Sequence, residues 1–339
     1  MNEGNLGNII VVLADPKPLT RNLMRGAMNA SGYRDVRDCT SVKNLETMLM
    51  SNLSPDLVIV DAALSGGNAF ELIRSLRMGE LGDNPFIPVI MVCWNASSEM
   101  IGKAAGCGVD DILVAPISPA DLFARIKVLI RNRKPFVVTS DYIGPDRRYD
   151  PARGKSDIPQ IEVPNTLRLK VLGQEIDDTD IKSAISQALN EINDQRLVRH
   201  SYQISYLVGL ILPAYQENKV DPAVRIHVRN LSEVADEVGG RLVGSQFEHV
   251  GELCQTMRKV VASIRENWRE PSRKDVELLE PLSQAILAGF NPDRDSAEMA
   301  GEINSMVSQF SGAENETEQG QVEESGVSSA QSGERDANA

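Results

Sequence analysis

The chain has 339 residues, of which 42% are hydrophobic and 24% charged, and its formal net charge is −13. That length accommodates two domains and their linkers, and no segment offers the basic surface that a phosphate backbone normally requires, so nucleic acid is not an expected partner. The longest apolar run, YLVGLILPAY (206–215), is too short to span a bilayer, and MNEGNLGN has neither the basic start nor the apolar core of a signal peptide. The reading is a cytoplasmic protein without a membrane segment, whose four cysteines (Cys39, Cys93, Cys107, Cys254) lack CxxC spacing and are expected as reduced, buried thiols rather than zinc ligands.

From residue 8 to 131, short apolar runs rich in β-branched residues alternate with amphipathic segments of helical length. The runs are NIIVVLA, YRDVRDC, DLVIVD, IPVIMVC and DDILVA, and the helix candidates lie near 18–30, 42–52, 67–78, 97–106 and 119–131. Nearly continuous apolar strands separated by helices predict a five-stranded parallel doubly wound α/β domain over 1–131, covered on both faces. Residues 132–178 are proline-rich with little periodicity and read as an extended, partly ordered linker. Within it, YIGPDRR sets Tyr142, Arg147 and Arg148 beside a Gly-Pro turn; Arg and Tyr favour interfaces, so these are candidate docking residues, against the protein's own first domain among other surfaces.

Residues 179–311 carry only helical periodicity and predict an all-α bundle of about four to six helices. Ile181, Ile185, Ala188 and Ile192 line one face, and Leu231, Val234, Ala235, Val238 and Leu242 line another. Start signals are Asp221 before Pro222, and capping-box spacing at Ser245 with Glu248 and at Ser272 with Asp275. Shorter helices are expected near 275–288 and 296–310. The apolar excess of YLVGLILP suggests that the bundle pairs with itself or with a partner helix. Residues 312–339, with seven acids against one base, read as a disordered acidic tail.

In a doubly wound sheet, functional groups gather where strand C-termini emerge at the topological reversal. Asp15 ends the first strand and Asp61 the third, so the two carboxylates are expected to be neighbours. In ADPKPLTR, PDLVIVDAALSGGNAFELIR and GVDDILVAPISPADL the domain resembles the receiver domain of two-component response regulators, nearly end to end. The resemblance implies a flavodoxin-like fold, with Asp61 as candidate phosphoacceptor and Asp15 and Asp61 as what remains of a Mg²⁺ site.

Other parts of that family's pattern are missing. Pro16 stands where a second acid would be, Cys93 at the hydroxyl position and Ala115 at the lysine; Ile112 occupies the position whose aromatic ring commonly reports the switch. Phosphoryl transfer rests on positioning and on electrostatic stabilisation of the equatorial oxygens, and by analogy with the loss of one oxyanion-hole donor each missing part costs about 2 to 4 kcal/mol. The resemblance therefore implies a degenerate receiver that works by binding other proteins, a histidine kinase or phosphotransfer protein among them, and not by catalysis. Mg²⁺ would be held weakly and no other cofactor is implied. Trp94, beside Cys93, is a further interaction candidate. The family's pattern also implies a cis peptide bond between Ala115 and Pro116.

The helical domain is faintly similar to histidine-phosphotransfer bundles at RNLSEVADEVGGRL (229–242). There Arg229 replaces the reactive histidine, Ser232 and Glu233 follow it, and His200, His227 and His249 lack the expected sequel. Two alternatives stay open: a conventional response regulator phosphorylated at Asp61 that switches the helical output, and a DNA-binding regulator. No hydrolase, zinc-protease, P-loop or dinucleotide motif occurs.

Overall fold

The computed structural model describes residues 6–292 except 52, 95–96, 148–157 and 175–176. The acidic tail, the helix expected at 296–310 and Arg148 lie outside the described residues. The described chain divides into two units between Arg196 and Leu197.

The first unit is built on five parallel strands: β1 (Ile10–Ala14), β2 (Asp35–Cys39), β3 (Leu57–Asp61), β4 (Val89–Cys93) and β5 (Asp111–Val114), in the order β2-β1-β3-β4-β5. Five helices connect and follow them: α1 (Pro18–Ala30), α2 (Val42–Leu49), α3 (Ala69–Arg77), α4 (Ser98–Gly106) and α5 (Pro119–Arg131). Successive strand residues point to opposite faces, and the continuous apolar runs fill both layers. Val12, Val58, Val60, Met91 and Cys93 meet Leu45, Leu49, Ile73 and Leu76 of α2 and α3. Val11, Leu13, Ile59 and Val92 meet Met28 of α1 and Leu122, Ile126 and Leu129 of α5. The expected five-stranded doubly wound sheet is present.

Residues 132–178, expected as an extended linker, are in their described parts packed onto this unit. β6 (Phe136–Val138) and β7 (Ile143–Pro145) form an antiparallel pair, and Ile161 bridges to Phe136. α6 (Thr166–Val171) buries Leu167 in the α1–α5 layer, and its Lys170 Nζ reaches Asp56 Oδ2 at 2.7 Å. The long helix α7 (Asp178–Gln216) then begins, and Ile185, Ala188 and Ile192 join Phe86, Phe136, Ile143 and Ile161 in a separate apolar cluster. The unit boundary falls inside α7 rather than at 178, because the first part of this helix supplies that cluster.

A fully buried arginine organises the attachment. Arg77, at the end of α3, donates from Nε to Gly108 O (2.8 Å) and from Nη1 to Pro85 O and Ile87 O. Its Nη2 meets Asp110 Oδ2 at 2.9 Å, while Arg133 Nε takes Asp110 Oδ1 at 2.7 Å. Both guanidinium groups lie over the Phe136 ring. Burial pulls Arg77 down to about 10 and the Asp110 charge opposes the fall, so it stays cationic at neutral pH.

The YIGPDRR turn docks beside this network. A Cβ on Gly144 would stand 2.8 Å from Gly108 Cα, and one on Gly108, which has φ +88°, would stand 2.5 Å from Ile143 O. Tyr142 Oη donates to Pro145 O at 2.9 Å and Arg147 Nη2 to Val109 O at 2.5 Å. Tyr142 and Arg147 thus have intramolecular partners on the α/β unit.

The second unit contains the rest of α7 from Leu197, with α8 (Pro222–Arg241), α9 (Gly251–Glu266) and α10 (Arg273–Phe290). Asp221 caps α8 as its sequence implies, Oδ1 accepting from the amides of Ala223 and Val224. The other two capping boxes do not form. Ser245 Oγ accepts from the Phe247 amide ahead of a short 3-10 turn, Glu248–Val250, and α9 begins only at Gly251. Ser272 caps α10 without a side-chain bond: the Asp275 amide donates to its carbonyl, and Asp275 Oδ2 accepts from Ser263 Oγ rather than reaching back. α10 extends beyond the expected 275–288. Leu207, Val208 and Ile211 of the YLVGLILP run are buried against α8, α9 and α10, whereas Leu210 and Leu212 are half-buried. Among the described residues, no helix is long and apolar enough to cross a membrane.

Two substitutions test this architecture by urea unfolding. Asp110→Ala strands two buried guanidinium groups and should cost about 3–5 kcal/mol. Gly144→Ala forces backbone against backbone at Gly108 and should cost about 1–3 kcal/mol.

Candidate functional site

The parallel register places the two acids. Ala14 pairs with Val60, so Asp15 and Asp61 follow at the same edge of adjacent strands, and Asp61 in turn lies beside Val92. Both carboxylates are buried. Asp15 Oδ1 accepts from the Lys17 amide at 2.6 Å, and its carbonyl accepts from Arg21 Nη1 at 2.6 Å. Arg21 is also ion-paired with Asp38, as is Arg25. Burial pushes the Asp15 carboxyl above its ordinary range; the Lys17 amide opposes this, the Asp61 charge adds to it, and the charges of Lys17 and Arg21 oppose it.

Asp61 is held on both oxygens. Oδ1 accepts from the Ala63 amide at 2.7 Å, and Oδ2 accepts from the indole Nε1–H of Trp94 at 2.7 Å. Trp94 follows the last residue of β4, and its ring is 48% exposed. Lys17 Nζ stands 3.7 Å from the centre of that ring, a cation–π contact of about 0.5–1 kcal/mol at an exposed site. The indole thus meets the ammonium with its face and the carboxylate with its edge.

The positions that depart from the receiver pattern contribute nothing polar in their place. Pro16 has no carboxylate to offer. Cys93 packs in the α2–α4 layer, where burial and then the Asp61 charge push its thiol up. Ala115 precedes the cis bond to Pro116, as the resemblance implied. Ile112 is partly buried against the same layer as Cys93. Among the described residues, no group of three or more His, Cys, Asp or Glu is arranged to hold a metal ion.

Trp94 is an interaction candidate by sequence, and its bond to Asp61 is visible only in the fold. The charges of Lys17 and Arg21 both act on Asp15, although Ala115 stands at the lysine position of the receiver pattern. The available signal was the placement of a large donor side chain one residue past Cys93, with Lys17 two past Asp15. Among the histidines, His200 is buried within 3.5 Å of Glu237 Oε1. Arg229, in the place of the reactive histidine, pairs with Glu233 on the same helix.

An acid whose pKa the fold raises weakens the folded state once it ionises, and contributes no such loss while protonated. Asp15→Asn keeps an acceptor for the Lys17 amide and should raise the urea midpoint at pH 7. That gain should disappear as the pH falls below about 3.9, the unfolded carboxylate value.

Residues 11–127 match the family described as the response regulator receiver domain. The phosphate regulon transcriptional regulatory protein PhoB of Pseudomonas aeruginosa is 31% identical over 134 residues, which are 38% of this chain and 55% of that protein. The KDP operon transcriptional regulatory protein KdpE of Escherichia coli is 24% identical over 220 residues, 62% of this chain and 92% of that protein. Against PhoB, the chain spans about half the length of the curated relatives it matches. Among solved structures, chemotaxis protein CheY4 of Vibrio cholerae aligns with 35% of this chain and 97% of its own at 22% identity and a TM-score of 0.32. A putative response regulator from Chloroflexus aurantiacus aligns with 35% and 94%, at 22% identity and a TM-score of 0.33. Residues 11–127 of this chain are a response regulator receiver domain.

Proposed function

We propose that this receiver domain works in two-component signalling through protein contact, with Asp61 closed to the phosphoryl chemistry of its family. The observation that carries this reading is the Trp94 indole on Asp61 Oδ2. A hydrogen bond to a charged group is worth about 1.5–3 kcal/mol, and a phosphodonor must break it before the nucleophilic oxygen is exposed. Behind that barrier the groups that neutralise an incoming phosphoryl group are missing at Pro16, Cys93 and Ala115.

The same geometry argues against Mg²⁺. Asp15 and Asp61 are two carboxylates where the family uses three acids, and Asp61 already accepts from an amide and an indole. A hard cation would have to displace Trp94 and would find no further protein carboxylate among the described residues.

Intact mass after incubation with Mg²⁺ and acetyl phosphate tests the proposal. The wild type should show no phosphoryl adduct. A variant carrying Pro16→Asp, Cys93→Thr, Trp94→Ala and Ala115→Lys should acquire one that Asp61→Asn removes. An adduct on wild-type Asp61 would restore the conventional switch.

The relatives' names support a second reading, since PhoB and KdpE are transcriptional regulatory proteins. They lend no support to the expectation that nucleic acid is not a partner. The PhoB matches extend over 131–134 residues, so the helical unit must be tested on its own terms. In low-salt fluorescence anisotropy with random duplex, the contact reading predicts no binding. Affinity that falls steeply with salt would make the helical unit a DNA-binding output.

A further inference from the structure

Asp15, Pro16 and Lys17 form a closed turn at the end of β1. Asp15 Oδ1 accepts from the Lys17 amide at 2.6 Å; a carboxylate bonded to the backbone two residues on is an Asx turn. The residue this bond spans is Pro16, whose ring fixes its φ at about −65° and leaves the turn few other conformations. α1 opens on Pro18 immediately afterwards, with Lys17 as its N-cap. Lys17 thus stands between two prolines with its amide tied to Asp15, so the direction in which its side chain leaves the backbone is set locally.

That direction leads to Trp94, whose ring centre lies 3.7 Å from Lys17 Nζ. The ring is half exposed, so burial secures only part of its surface. Two further contacts hold it: its edge donates to Asp61 Oδ2 at 2.7 Å, and its face carries the ammonium. One residue therefore reaches both acids, Asp15 through its amide and Asp61 through the indole. Pro16 departs from the receiver pattern at the second acid, and it lies inside the turn that aims this residue.

We propose that Asp15, Pro16 and Lys17 are positioning residues of the closed site: a turn that holds the Trp94 indole on Asp61. The inference rests on the closed-site reading of Asp61 and deepens it, because it gives Asp15 and Pro16 a task that needs no metal. Asp15 fixes the Lys17 amide, Pro16 restricts the turn between them, and Lys17 steadies the ring from its face while the ring's N–H occupies Asp61 Oδ2. Losing any of the three loosens the cover, although the bonds on the Asp61 carboxylate itself come from Ala63 and Trp94.

The test uses the full chain with Trp268→Phe, which leaves Trp94 as the remaining tryptophan of the two in the sequence, and follows exchange of its indole N–H with water. Lys17→Met keeps the length of the side chain without its charge and should speed exchange about two- to fivefold, the equivalent of an exposed cation–π contact. Lys17→Arg retains a cation and should leave the rate unchanged. Pro16→Gly should speed exchange by a similar factor, and should add nothing in the Lys17→Met background, because it acts through Lys17. Asp15→Asn keeps the acceptor for the Lys17 amide and Asp15→Ala removes it, both without charge, so the Ala variant should exchange faster than the Asn variant. If Pro16→Gly or Asp15→Ala fails to fold, the two Lys17 variants, at an exposed position, decide the outcome. Slow exchange in the parent that Lys17→Met leaves unmoved, or that Lys17→Arg speeds as much, would overturn the proposal and leave the closed site standing. A Pro16→Gly effect undiminished in the Lys17→Met background would overturn it too, as a general loosening of the strand end. Fast exchange in the parent that Asp61→Ala does not alter would instead remove the closed-site reading, and this inference with it.

Discussion

The hydrogen bond from the Trp94 indole to Asp61 decides how the receiver domain is to be understood. A buried carboxylate needs hydrogen-bond partners, and in this chain a neutral N–H donor and a backbone amide supply them. Neither partner can balance the charge of a transferred phosphoryl group. The ammonium of Lys17 stands over the face of the indole, where it stabilises the ring's position. The metal-binding acid, the hydroxyl and the lysine of the receiver pattern are replaced by Pro16, Cys93 and Ala115, and the indole takes one of the two Asp61 oxygens.

The α/β unit presents that strand edge at one end of its sheet and binds the YIGPDRR segment at the other. Arg77 and Asp110 act at the other end of the sheet, where β5 begins, and bind the turn of YIGPDRR through Gly108, Val109 and the Phe136 ring. A fully buried ion pair is weak evidence of net stabilisation. Here its clearer effect is geometric, since two arginines share one carboxylate and so fix β6, the α4–β5 loop and the residues before β4 together.

The strands other than β2, whose DVRDC is mostly polar and half-buried, were legible because a parallel sheet covered on both faces needs continuous apolar runs, and the Asp15–Asp61 juxtaposition followed from the ends of β1 and β3. The departures at Pro16, Cys93 and Ala115 were legible by spacing within the receiver pattern. The Trp94–Asp61 bond was not, because it depends on the direction a side chain takes across two strands, which no periodicity records. The linker was misjudged for a related reason. β6 and β7 are three residues each and are held by contacts to Arg77, Phe86 and Gly108, so their order comes from tertiary partners more than 25 residues away. In the helical unit, Asp221 read correctly because cap and proline are local, whereas at Ser272 the reciprocal bond is missing because Asp275 Oδ2 accepts from Ser263 on another helix.

The indole N–H itself gives the most direct test. In a ¹H–¹⁵N spectrum of the Trp268→Phe chain, the account predicts that the Trp94 Nε1–H resonance is shifted downfield and exchanges slowly with water, and that Asp61→Ala moves it upfield and speeds its exchange. A resonance that exchanges freely in the parent chain and does not change with Asp61→Ala would contradict the closed site.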